Sequence, residues 1–443
     1  MRSIKLTMGL SSVLCALIVG CSGGADDRAS DFGASESALI LPNNQEFANP
    51  TGRSASFSTA GSVDLDGTFF QSLGSNGRSC GTCHLPSDGL TVSAGSAQAI
   101  FEQSAGLAPL FEFDGQNCPG ADRSTVEARR SASSLMLDRA VVRFNRALPP
   151  GAEFEIVAFE GTYCNPIDST NLIVFRRPLP TTNFGALGTV LWDGLGNAIA
   201  PTPHDAIGLV AIGATLLHAQ TSVVPSPAQV AEMVGVMESL TTAQTFDNAA
   251  KDLTARDALG GPENLASLPL GGAPGFTIYD TWTDVPGGGI EAARRSVARG
   301  QAIFDSRPIA ITGVGGLADR TGTCAGCHRV PNMGNTSGLS VLDIGISDAS
   351  RRPADLPLYT LRNIATGATR QSSDPGRALV TGAWVDIGKF KVPNLRALSA
   401  RAPYFHNGLA PTLDAVVDFY NARFNMGLTA AEHADLVNFL TVL

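Results

Sequence analysis

Two segments of this chain carry side chains suited to acting together. One reads Cys80, Gly81, Thr82, Cys83, His84, and the other Cys324, Ala325, Gly326, Cys327, His328. Each is C-x-x-C-H. Two thiols at this spacing can add to the two vinyl groups of one haem and tie the macrocycle to the chain. The histidine beside the second thiol then reaches the iron as proximal ligand. A bare C-x-x-C would also suit half a zinc site or a redox dithiol. Two complete copies, each with its histidine, select covalent c-type haem at two places.

The remaining cysteines are consistent with an exported chain. Residues 1–20 have a basic start (Arg2, Lys5) and an apolar stretch from Met8 to Val19, the pattern of a secretory signal. It ends Leu17, Ile18, Val19, Gly20, Cys21, which resembles a bacterial lipobox. That resemblance implies a diacyl anchor on Cys21, and several acyl chains hold a protein at a membrane lastingly. Ser22 in place of Asp implies outer-membrane sorting, facing the periplasm. Cys118 and Cys164 are left over, and in an oxidising compartment they are expected to form a disulfide.

Composition narrows the function classes. The 443 residues carry 31 basic and 40 acidic side chains, a net charge of −9. Such an acidic surface argues against nucleic acid and suits a small basic electron-donor protein. No internal apolar run is long enough to span a bilayer.

These motifs must be positioned by folded elements. Small polar residues over 21–60 read as a flexible tether. An N-terminal cytochrome c-like domain is expected over 61–289. A β insertion is expected near 105–176, because Glu153–Glu160 and Asn171–Phe175 are strand-like. From Asp205 to Leu253 the apolar period is helical, with Val210, Leu216, Val230, Met233 and Met237. Gly/Pro-rich residues 259–289 read as a connection, and a second cytochrome c-like domain is expected over 290–443. Its first helix, 290–304, should pack through Val297, Gly300 and Phe304. Its last should open on a Thr429/Glu432 capping box. The expected fold class is mainly α, with two cytochrome c-like domains facing each other.

Further motifs resemble the dihaem cytochrome c peroxidase superfamily of bacteria, which includes tryptophan-modifying and rubber-oxygenase relatives. The resemblance rests on Cys327–Gly334 (CHRVPNMG), Phe390–Arg396 (FKVPNLR), Ala402–Gly408 (APYFHNG), Arg177–Thr181 (RPLPT) and Leu191–Gly194 (LWDG). It implies that Trp192 lies between the haems and relays electrons. It also implies a peroxidase in which electrons from a small cytochrome or cupredoxin enter at the C-terminal haem and reach peroxide at the N-terminal one. Two rivals share the motifs: an oxygenase or protein-modifying oxidase acting with dioxygen, and a non-catalytic electron-transfer lipoprotein.

Departures from the family pattern refine this. No histidine lies between His84 and His204, so the first haem is expected to be open at rest. His204 and His218 are candidate distal ligands or proton carriers. Tyr420, His406 and Met426 compete as sixth ligand of the second haem, and the alternative for His406 is to hold a propionate or a backbone group beside the iron's ligands. The family's calcium-binding asparagine falls at Pro178, which makes calcium doubtful. The family's distal glutamate has no clear counterpart, with Glu232 and Glu238 nearby but out of register.

Overall fold

In the computed structural model, residues 39–161, 163, 168, 171–268, 276–328 and 341–443 are described. The signal segment, Cys21, Cys164 and residues 329–334 of the CHRVPNMG segment lie outside them. Cys118 is disulfide-bonded. Its pairing with Cys164 stays a proposal, because Cys164 is outside the described residues.

Strands reach into the stretch read as a tether. Strand β1 (Gly52–Ser58) pairs antiparallel with a strand that follows the helices of the N-terminal half. Its serines conceal it in the sequence. Ser54, Ser56 and Ser58 are buried, where a strand usually places apolar side chains. The Ser56 hydroxyl lies 2.7 Å from that of Thr242, so at Ser56 a hydroxyl pair replaces an apolar one.

Helix α1 (Ala94–Ser104) precedes strands β2 (Val142–Arg146), β3 (Phe154–Glu160) and β4 (Leu172–Arg176). The two segments read as strand-like are therefore strands. They do not both pair within their own half. β4, buried throughout, pairs with β2, whereas β3 pairs with a strand from beyond residue 350.

Helices α2 (Pro203–Leu217) and α3 (Pro227–Ser239) each open on a hydroxyl cap followed by proline, Thr202 and Ser226. Proline suits the first helical position because its missing N–H would be unpaired there anyway. The expected helical period fails after Ser239. Leu240–Asp247 is strand β5, the partner of β1, and its Thr241, Thr242 and Thr245 are β-branched.

The C-terminal half contains α4 (Ile290–Ser306), strands β6 (Leu358–Asn363) and β7 (Thr369–Ser372), α5 (Leu413–Arg423) and α6 (Ala430–Thr441). β6 lies between β7 and β3. α6 begins with the expected capping box: the Thr429 hydroxyl accepts from Glu432 N–H, and the Glu432 carboxylate accepts from Thr429 N–H. α4 and α6 pack closely at Gly300. A Cβ there would lie 2.0 Å from the Asp435 carbonyl oxygen, so only glycine fits. Val297 and Phe304 are buried on the same helix, as expected.

The described strands form six small sheets among short helices, a mixed architecture rather than a mainly α one. The cores lie where helices cover apolar clefts. Phe69, Ile207, Met233 and Met237 make one. Phe276, Phe304, Leu436 and Phe439 belong to another. No helix among the described residues is long and apolar enough to cross a membrane.

Candidate haem sites and the wall between them

A hydroxyl precedes the first cysteine of each motif. Ser79 N–H donates to the Thr82 hydroxyl, and Thr323 accepts from Gly326 N–H, so each motif is wound into a tight turn. That turn brings the two thiols and the histidine to one side.

Each motif floors a large apolar cavity. The N-terminal cavity, about 1500 Å³ counted out to its open mouth, is lined by Cys80, Cys83 and His84 under Phe69, Phe144, Ile207 and Met233. The C-terminal cavity, about 1580 Å³ counted the same way, is lined by Cys324, Cys327 and His328 under Phe304, Ile311, Val417 and Leu440. Each histidine has a phenylalanine ring 6.2 Å away, Phe69 beside His84 and Phe304 beside His328.

The protonation states suit haem. His84 Nδ1 lies 2.9 Å from the Leu90 carbonyl, which can only accept, so Nδ1 carries the proton and Nε2 is left as a lone-pair donor. Burial lowers the His84 pKa to about 4, keeping the ring neutral. Burial also raises Cys80 and Cys324 to about 12 and Cys83 to about 11. Thiols for thioether bonds, a neutral imidazole and an apolar slot fit the cofactor that the motifs imply.

The two cavities share a wall. Arg177, Pro178, Pro180, Trp192, Lys391 and Asn394 line both. Trp192 Nε1–H donates to the Arg177 carbonyl at 2.8 Å, and the Trp192 carbonyl accepts from Lys391 N–H at 2.8 Å. The next residue anchors it more firmly. Asp193 accepts from Arg146 at 2.9 Å and Arg176 at 2.6 Å, while Arg176 makes a two-pronged pair with Asp374 at 2.7 and 2.9 Å. Burial pushes the Asp193 and Asp374 carboxyls up, but the guanidinium groups outweigh it and hold both below their ordinary value.

These features have sequence counterparts in known proteins. No family model matches the chain. A cytochrome-c peroxidase of Denitromonas iodatirespirans is 32% identical over 133 residues, 28% of this chain and 36% of that protein. A second from the same organism is 30% identical over 177 residues, 37% of this chain and 44% of that protein. The cytochrome c551 peroxidase of Nitrosomonas europaea is 32% identical over 121 residues, 27% of this chain and 30% of that protein. Its relatives are cytochrome-c peroxidases. That bears out the resemblance to the dihaem peroxidase superfamily read from the motifs. The matched stretches span less than half the length of each relative. Among solved structures, a MauG-like protein associated with microbial copper homeostasis superposes with a TM-score of 0.33 at 17% identity, covering 63% of this chain and 78% of that one.

Peroxidase relatives direct attention to acid–base groups in the cavities. His218, at the end of α2, lines the N-terminal cavity. Its Nδ1 is bonded to Asp114, which is bonded in turn to Arg78. Arg78 also donates to the carbonyls of Pro109, Leu110 and Glu112, and both Arg78 and Asp114 are buried. Burial pushes Asp114 up, yet His218 and Arg78 hold it below its ordinary value. An ionised Asp114 accepts from Nδ1–H and leaves His218 Nε2 as the free nitrogen.

His204 is placed elsewhere. It lines neither cavity, its side chain is 66% exposed, and its Nδ1 bonds the Glu238 carboxylate at 2.8 Å. That hydrogen bond and charge raise its pKa. Glu232 is occupied in bonding Thr68 at 2.8 Å through the backbone N–H. Neither glutamate faces the cavity.

All three candidates for the second sixth ligand, Tyr420, His406 and Met426, line the C-terminal cavity. His406 also touches the wall. Its ring stacks on Phe390 at 3.8 Å and meets Trp192 edge-on at 6.1 Å. Burial lowers its pKa to about 4.

Sequence reasoning missed Asp114, Arg78, Lys391, Asn394 and Arg401. For Lys391 and Asn394 a signal existed, since both fall in the FKVPNLR motif. For Asp114 there was none.

Proposed function

We propose that this chain is a dihaem c-type oxidoreductase of the peroxidase kind. Each C-x-x-C-H segment would hold one haem through two thioethers, with His84 and His328 as proximal ligands. When bound, the haems would supply electron storage and an iron able to engage peroxide. The observation that carries the reading is the shared wall: two motif-floored cavities meet at Trp192, and the N-terminal one holds a histidine hydrogen-bonded to a buried carboxylate, both in its lining.

The overall reaction is H2O2 with two electrons and two protons giving two waters. His218 Nε2 takes the proton from one peroxide oxygen and returns it to the other, which departs as water when the O–O bond breaks. Asp114 stabilises the imidazolium between these transfers, because its carboxylate is already ionised and aligned with Nδ1. The oxygen left behind takes up the two electrons and both protons of the overall reaction and leaves as the second water, the protons coming from solvent, to which His218 is partly open. Two electrons from a small donor protein, a cytochrome or a cupredoxin, enter on the C-terminal side. Trp192 is the one aromatic side chain lining both cavities, which suits it to carry them across.

Membrane attachment through a lipidated Cys21, outside the described residues, would hold the enzyme at the periplasmic face of the outer membrane. An electron paramagnetic resonance spectrum of the oxidised holoprotein, combined with peroxide turnover by reduced cytochrome, tests the proposal. One high-spin and one low-spin iron with turnover support it. Two inert low-spin irons that bind no cyanide replace the enzyme with an electron carrier.

A further inference from the structure

Neighbouring arginines in the shared wall have opposite surroundings. Arg176 is matched by two carboxylates, Asp193 and Asp374. Arg177, beside it, has no ion pair among the described residues, and neither do Lys391 and Arg401. All three are at least nine-tenths buried. Their donors are also incompletely used. Arg177 Nε, Arg401 Nε and Asn394 Nδ2 are buried with no acceptor. Unpaired buried cations and unsatisfied donors are each costly, so this cluster is built for an anion.

The surroundings identify its chemistry. The cluster lines two cavities whose walls are mostly apolar. A ligand that fills such a space and satisfies this cluster combines an apolar body with anionic arms, which a haem with its propionates does. We infer that Arg177, Lys391, Asn394 and Arg401 form one carboxylate hole that takes propionates from both haems. This inference rests on the two-haem reading. The hole is shared unevenly. Arg177, Lys391 and Asn394 line both cavities, whereas Arg401 lines the C-terminal cavity alone.

The uneven sharing makes a test possible in the full-length holoprotein by spectroelectrochemical titration of both irons. Removing a positive charge near a haem disfavours the reduced iron. Lys391→Met should lower both midpoint potentials, and Lys391→Arg should restore them. Arg401→Gln should lower only one. Asn394→Asp, nearly isosteric and so a second route if Lys391→Met fails to fold, should lower both by placing a carboxylate in the hole. Two bound haems with both potentials unmoved in Lys391→Met or Asn394→Asp would overturn the carboxylate hole alone. A chain that carries fewer than two haems would overturn the two-haem reading itself. Wild-type potentials that shift with added acetate, with the response lost in the variants, would assign the hole to a free anion and refute the inference.

Discussion

His218 and Asp114 are joined by a hydrogen bond across 104 residues of sequence. Asp114 is buried and fixed by Arg78, only two residues before the first haem-motif cysteine. The proposed acid–base group is therefore braced against the same segment that would carry the iron.

That brace predicts non-additive losses. Asp114→Asn keeps the shape but removes the charge that holds His218 in one tautomer. Turnover should fall by about 10²-fold or more, with KM changing much less. The double variant with His218→Gln should be no slower than His218→Gln alone. Independent, multiplying losses in steady-state assays would show that the two residues do not act as a unit.

Trp192→Phe retains an aromatic ring but loses the N–H donated to Arg177 and is harder to oxidise. Both haem spectra should stay nearly unchanged. Donor-to-peroxide turnover should slow about tenfold or more, a barrier increase of about 1.4 kcal/mol. A wild-type rate under conditions where electron transfer limits the cycle would reduce Trp192 to packing.

Gly300→Ala places a methyl group against the Asp435 carbonyl where α4 meets α6. Overpacking of this kind costs about 1–3 kcal/mol. Chemical denaturation should show that loss, and a variant as stable as wild type would mean the helices separate freely.

Acid should destabilise the fold in two stages. His406 is held near pKa 4 by burial, against an ordinary 6.5. Between those values the unfolded chain binds protons that the folded chain refuses, so stability falls as pH drops through that window. One histidine gives a limiting slope of about one proton per molecule. Below the ordinary carboxylate range, Asp114, Asp193 and Asp374, all depressed, add further loss. Denaturation midpoints that are flat from pH 6.5 to 4 would contradict the first stage.

Radiolabelled palmitate should enter the wild-type protein and fail to enter Cys21→Ser. Persistent labelling of that variant would remove the lipoprotein assignment and leave the haem chemistry untouched.

Much of the chemistry was legible in the chain itself because it is local. A C-x-x-C-H motif, a hydroxyl cap before it, and the Thr429/Glu432 capping box are set by residues within one or two turns of each other. The LWDG motif also singled out Trp192, which lines both cavities. Sequence patterns misread 52–58 and 240–247, because the strand character of each exists only in the other. The buried Ser56 and Thr242 hydroxyls satisfy one another across the pair, and clear apolar alternation is missing from either segment alone.

What only the tertiary structure decided is which polar groups face the cavities. His204 and His218 are the same residue type on or beside the same helix, yet one faces solvent and the other faces the first cavity. The rotation of α2 against α3 and the cavity wall makes that choice, and composition does not encode it. Asp114 and Arg78, or Lys391 and Arg401, gain meaning only from long-range approach within a dry interior. There each unpaired charge must find a partner, and the fold determines which partner is in reach.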